Sequence, residues 1–237
     1  MSYYVMIHGS WHGGWCWYKA APRLQQLGHK VFAPDLPGHG RNWADPQTVT
    51  MQSYADYVCN VLDTLPEPAI LVGHSRGGIV ISQVAERRPN KVKSLVYLAA
   101  FLIPNGEPML PTALSDTDSL IVSNLDVNEE RGWHMLREEA FRDALYHDCS
   151  EEDVALARSL LTPEPNAPVA TPLELTDDNF GRIPRVYITT LRDKGVSPSL
   201  QKKMYTAVPC QKVISLDTSH SPFLSAPDEL VACLTSL

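Results

Sequence analysis

No stretch of the 237 residues stays apolar for the ~20 positions that a bilayer span requires. The longest apolar runs, such as Leu95 to Leu102 and Ile79 to Ile81, stop far short. Positive charge is also in short supply. Lys and Arg number 20 against 27 Asp and Glu, a net charge of −7 with no basic run, so nucleic acid has no electrostatic footprint to bind. The five cysteines (Cys16, Cys59, Cys149, Cys210, Cys233) are odd in number, scattered and never in a CxxC pair. That pattern excludes a disulfide framework, argues against a zinc site and suits buried reduced thiols. Met1 leads straight into the strand-like Tyr3-Tyr4-Val5-Met6-Ile7, without a basic and then apolar leader, so a cytoplasmic protein is expected. Neither GxGxxG nor GxxxxGK[ST] occurs, which leaves no phosphate-cradling loop.

What is present is ordinary globular composition, 44% hydrophobic and 20% charged, over a length that suits one large domain or one domain with an insertion. Short β-branched runs at Tyr4-Ile7, Lys30-Ala33, Ala69-Val72, Val92-Leu98, Arg185-Thr190 and Lys212-Leu216 predict strands. Between them, Trp15-Leu27, Met51-Leu65, Gly77-Arg88, Pro198-Ala207 and Pro227-Leu234 carry helical periodicity. This alternation predicts an α/β fold with a doubly wound, mostly parallel sheet. The rhythm breaks over 101–181, which is expected to be a mainly helical cap inserted between core segments 1–100 and 182–237. Trp133-Tyr146 and Glu151-Leu161 are its expected helices, the second opened by a capping box at Ser150-Glu151-Glu152-Asp153. Pro163, Pro165, Pro168 and Pro172 rule out a regular helix beyond it.

The chemistry-bearing signal is Gly73-His74-Ser75-Arg76-Gly77, a G-x-S-x-G between a strand and a helix. The glycines suit a sharp turn in which larger residues would collide, and Ser75 would project from its tip as a nucleophile. The Arg76 amide, at the positive end of the following helix, would be one donor to an oxyanion. A serine hydroxyl needs a base and the base needs an orienting acid. His220, in a loop after the last strand, is the candidate base. Asp193, after the penultimate strand, fits best as the acid, with Asp217 as rival and Asp35 as a turn residue; Ser75, Asp193, His220 is the Ser…Asp…His chain order. A second amide donor is expected from His8-Gly9-Ser10-Trp11-His12-Gly13-Gly14-Trp15, with Ser10 as the choice and Gly9 beside it. The remaining histidines default to structural roles.

Taken with Asp35-Leu36-Pro37-Gly38-His39-Gly40, Val96-Tyr97-Leu98-Ala99-Ala100-Phe101 and Asp193-Lys194-Gly195, these segments resemble the α/β-hydrolase group of plant methylesterases, hydroxynitrile lyases and bacterial carboxylesterases, pyrethroid hydrolases included. The resemblance covers nearly the whole chain. It implies a triad at Ser75, Asp193 and His220, with oxyanion donors at Ser10 and Arg76. The lyases of this group carry threonine where Gly9 stands and lysine where Ser221 stands, so the resemblance favours ester hydrolysis. The expectation is therefore a serine carboxylesterase acting on small, largely apolar esters, with no metal or organic cofactor. The alternatives are a hydroxynitrile lyase, a C–C hydrolase or other acyl transferase, and a non-catalytic small-molecule receptor. Trp133, Met135, Leu136, Phe141, Tyr146 and Phe180 are expected to line the substrate pocket with Gly9. A homodimer is compatible with the sequence.

Overall fold

Ala69–His74 is buried at every one of its six positions, which requires cover on both faces of the sheet it belongs to. In the computed structural model, which describes residues 1–237, that strand (β3) lies inside a six-stranded sheet. Its companions are β1 (Tyr3–Ile7), β2 (Lys30–Phe32), β4 (Val92–Leu98), β8 (Arg185–Thr190) and β9 (Lys212–Leu216). The order is β2-β1-β3-β4-β8-β9 and every pairing is parallel. All six strands fall within a residue or two of the predicted runs.

The covering helices are α1 (Ala20–Gln26), α2 (Met51–Asp63), α3 (Gly77–Arg87), α8 (Pro198–Ala207), α9 (Pro222–Ser225) and α10 (Pro227–Thr235). A reciprocal capping box between Thr50 and Ser53 starts α2, satisfying two otherwise orphaned amides. One apolar cluster, around Leu71, Ile79 and Tyr187, fills one side of the sheet; a second, around Met6, Trp17 and Phe223, fills the other.

Between β4 and β8 no strand joins the main sheet. This insertion holds α4 (Met109–Leu114), α5 (Phe141–Leu145), α6 (Glu151–Leu160) and α7 (Asn166–Ala170). It also holds an antiparallel sheet of β5 (Leu125–Asn128), β6 (Trp133–Leu136) and β7 (Glu164–Pro165). The expected helix over Trp133-Tyr146 is therefore corrected. Its first four residues are strand, because Gly132, at φ 68°, closes a hairpin that pairs Asn128 with Trp133 and Leu125 with Leu136. A single 3-10 turn at Glu138–Ala140 leads into Phe141–Leu145, the one α-helical part of this segment. At α6 half of the capping box forms: Ser150 accepts from the Asp153 amide, but the Asp153 carboxylate turns to Lys19 and Tyr18, both at 2.6 Å. The proline-rich stretch is not wholly irregular, since α7 takes Pro168 into its first turn, where a missing N–H is harmless.

Parallel pairing brings the C-terminal ends of the strands to one edge, where α/β sheets bind ligands. The segments carrying Ser10, Ser75, Asp193 and His220 leave from that edge.

Candidate active site

The turn from β3 into α3 puts Ser75 in the left-handed region, at φ 52°. Such a conformation costs a serine about 1–3 kcal/mol and persists only where neighbours enforce it. Here the Ser75 amide donates to the Leu98 carbonyl (3.2 Å), while the Ser75 carbonyl accepts from Phe101 (3.0 Å) and Gly78 (3.1 Å). A methyl group on Gly73 would lie 2.7 Å from the Gly77 carbonyl oxygen, and one on Gly77 would lie 2.8 Å from that of Ile7, so the elbow admits only glycine at both places.

Asp193 is buried, and its two oxygens are fully engaged. Oδ1 accepts from the amides of Gly195 (2.7 Å) and Val196 (2.8 Å), Oδ2 from Thr190 (2.7 Å) and Gln201 (3.1 Å). Oδ2 also meets His220 Nδ1 at 2.8 Å. With Nδ1 spent on the carboxylate, Nε2 is the nitrogen left to take a proton. His74 Nε2 donates to the His220 carbonyl at 2.9 Å, which fixes that loop against the residue preceding Ser75. The Ser75 hydroxyl bonds to no protein group in this conformation, and such contacts commonly tighten only in the reacting complex. Asp217 stands apart, exposed and paired with Arg192 at 3.1 Å. Asp35 accepts from the amides of Gly14 (2.7 Å) and Arg41 (3.0 Å), a loop-shaping role.

Neither the Ser10 nor the Arg76 amide meets an acceptor within the protein. Both belong to the segments that flank Ser75, and two unspent N–H groups there can receive a developing oxyanion. Three of the surrounding histidines, His8, His12 and His74, are held toward the neutral form. Burial, helped by the charges of His39 and Arg76, pushes His8 well below its ordinary value; burial takes His12 down to about 3; burial with His220 and His12 lowers His74. Their bonds suit single protonation: His12 Nδ1 donates to the Ser10 carbonyl (2.7 Å) while Nε2 accepts from Tyr146 (2.6 Å).

Beside Ser75 opens a narrow, mainly apolar recess of about 60 Å³. Trp11, Phe101, Met109, Leu114, Ile121 and Val169 are among its walls, and His134 supplies a polar point. The expected lining is mostly corrected. Gly9 does abut Ser75. Trp133 instead faces a surface groove beside Trp43 and Arg131; Met135, Leu136, Phe141 and Tyr146 pack with the second core cluster, and Phe180 lies in the first, under the Arg185 guanidinium. The overlooked α4 does leave a sequence trace, apolar residues at 109, 110, 113 and 114, which fall on one helical stripe.

Comparison with known proteins gives the same outline. Residues 4–233 match the alpha/beta hydrolase family. Putative methylesterase 11, chloroplastic, of Arabidopsis thaliana is 34% identical over 97% of this chain, which spans 62% of that protein's length. Methylesterase 18 of the same plant is also 34% identical, over 96% of this chain and 94% of its own. The crystal structure of a pyrethroid hydrolase from Sphingobium faniae superposes with a TM-score of 0.89 at 28% identity, covering 99% of this chain and 96% of that one. The chain belongs to the alpha/beta hydrolase family, in the group that holds the plant methylesterases.

Proposed function

We propose that the protein is a serine carboxylesterase for small esters with an apolar acyl or alcohol part. The observation that carries this reading is the 2.8 Å contact between His220 Nδ1 and Asp193 Oδ2, beside an elbow flanked by two unspent amides. His220 Nε2 takes the Ser75 hydroxyl proton as Ser75 Oγ attacks the ester carbonyl carbon. The resulting oxyanion is met by the Ser10 and Arg76 amides. Collapse breaks the bond to the alcohol oxygen, which leaves with the proton from His220, and the acyl group stays on Ser75. Water, deprotonated by His220, then attacks the acyl-enzyme; the acid departs and Ser75 recovers its proton. Asp193 keeps the imidazole in the productive tautomer and balances its transient positive charge. Methylesterase and pyrethroid hydrolase relatives support an ester substrate, and the aliphatic walls of the recess support an apolar one.

The test uses a fluorophosphonate probe and a panel of aryl and methyl esters of increasing acyl length, with mandelonitrile alongside. Labelling of Ser75, ester turnover without cyanide release, and a loss on the order of 10³-fold or more in Ser75→Ala are expected. Rapid cyanide release with negligible ester turnover would overturn the reading.

A further inference from the structure

The side chain of Arg76 takes no part in the mechanism above, yet it is fully buried beside the nucleophile, and so is its counter-charge, Glu164 on β7 of the insertion. Arg76 Nε lies 3.1 Å from Glu164 Oε1, and the guanidinium sits 4.7 Å from the centre of the Tyr54 ring. Glu164 also takes the Tyr54 hydroxyl at 3.1 Å and His39 Nε2 at 3.0 Å. Burial alone would raise this carboxyl, but the charges of Arg76 and His39 outweigh it and hold Glu164 well below the usual range. A buried ion pair is weak evidence for stability, because an apolar pair of the same volume is often as good or better.

The pair does hold the loop after β1. Arg76 Nη2 donates to the Gly9 carbonyl at 3.2 Å, and His8 Nδ1 donates to the same oxygen at 2.9 Å. The Gly9 carbonyl and the Ser10 N–H belong to one peptide unit, which is planar and trans, so fixing the direction of the carbonyl fixes the N–H opposite to it. The next unit is held from both sides as well. Its carbonyl, on Ser10, accepts from His12, and its N–H, on Trp11, donates to Glu164 Oε2 at 3.3 Å. Trp11 lies at φ 64°, a left-handed conformation that a bulky residue keeps only when its surroundings impose it.

We infer that the buried Arg76–Glu164 pair is a positioning device for the oxyanion hole, in which Arg76 offers one donor by its amide and aims the other by its side chain. Glu164 completes the clamp through Trp11, so the insertion is wired to the nucleophile's own neighbour. A guanidinium on the Gly9 carbonyl also polarises that peptide and strengthens Ser10 N–H as a donor. The inference rests on the esterase reading above.

The test compares the whole protein with Arg76→Met, Glu164→Gln and the double variant Arg76→Met/Glu164→Met, all of which keep the backbone amides. Turnover of p-nitrophenyl butyrate gives kcat and KM, an alkyl trifluoromethyl ketone reports binding of a tetrahedral oxyanion adduct, and thermal melting reports the fold. In folded variants kcat should fall about 30-fold or more, since losing an oxyanion donor outright costs about 10²–10³. KM should stay within about threefold, and affinity for the ketone should fall in step with kcat/KM. Arg76→Lys, which keeps a charged donor, should recover part of the loss. Any folded variant of the first three with wild-type kcat and ketone affinity overturns the inference, and so does failure of all three to fold, which would make the cluster a core element. A wild-type protein that neither labels at Ser75 nor turns over the ester overturns the esterase reading and this role with it; normal labelling with unaffected variants overturns this role alone.

Discussion

His74 Nε2 donates to the main-chain carbonyl of His220 at 2.9 Å, so the residue before Ser75, the candidate nucleophile, holds the loop that carries the candidate base. Their rings lie 4.5 Å apart, and burial keeps His74 neutral, with its single N–H spent on this bond. His74→Phe fills the same space without the donor. Its kcat should fall by about 10- to 100-fold with KM little changed, as expected when a reacting group is displaced by a fraction of an ångström. Steady-state kinetics on an ester checks this, and an unchanged kcat would mean that the loop stands without the bond.

Asp193→Asn should lower kcat on the order of 10⁴-fold, because an amide facing His220 Nδ1 favours the wrong tautomer. Asp217→Asn should be mild, since its partner Arg192 is an exposed contact of the kind that contributes little. Parallel kinetics on the two variants decides the matter; the reverse ranking would move the orienting role to Asp217.

Gly9 has no space to spare. A methyl group there would lie 2.8 Å from Ser75 Cβ and 2.8 Å from His74 Nδ1, so something must move. Gly9→Ala should lose about 1–3 kcal/mol of stability by overpacking. It should lose activity more sharply, because the atoms displaced belong to the elbow. Chemical denaturation and ester turnover on one preparation check both, and a variant with wild-type kcat would show that the elbow yields without harm.

Acid should weaken the fold before any carboxylate titrates. His8, His12 and His74 have folded values depressed below the ~6.5 of an unfolded histidine. Below that pH the unfolded chain binds protons that the folded one refuses, so stability is full above about 6.5 and is lost as pH falls toward the folded values, about 3 for His12. Each such histidine contributes a slope of about 1 kcal/mol per pH unit. Glu164, also depressed, adds loss in the same direction below about 4.3. Denaturation midpoints measured from pH 7.5 to 5 should fall, and more gently in His12→Gln; a flat profile in the wild type would refute the assignment of neutral buried histidines.

The sheet was legible in the sequence because its strands are short, β-branched and bounded by turn residues, and parallel strands buried on both faces leave continuous apolar runs such as Ala69-Ile70-Leu71-Val72. The candidate triad was legible for a related reason. An elbow is a local device: a strand, a strained serine between glycines and a helix follow one another in the chain, and Asp193 and His220 each sit a few residues past a recognisable strand.

The insertion was less legible. Trp133-Tyr146 has a helix-compatible pattern, but its first turn is drawn into a hairpin by Gly132 and by partners in β5 and β7, and no local preference announces pairing between His134 and Glu164. Apolar side chains that line a recess and those that fill a core leave the same mark in a sequence, which is why Phe141 and Tyr146 were expected in the pocket and lie in the core instead.

By itself, then, the sequence determined the order of the strands in the chain, the elbow and the chemical types of the groups at its edge, because these depend on near neighbours. Only the tertiary structure decided which amides remain unspent, which side chains wall the recess, and that Arg76 meets Glu164 from a strand 88 positions away. These depend on burial and on hydrogen bonds between distant segments, where a buried charge must find whatever partner the fold brings to it.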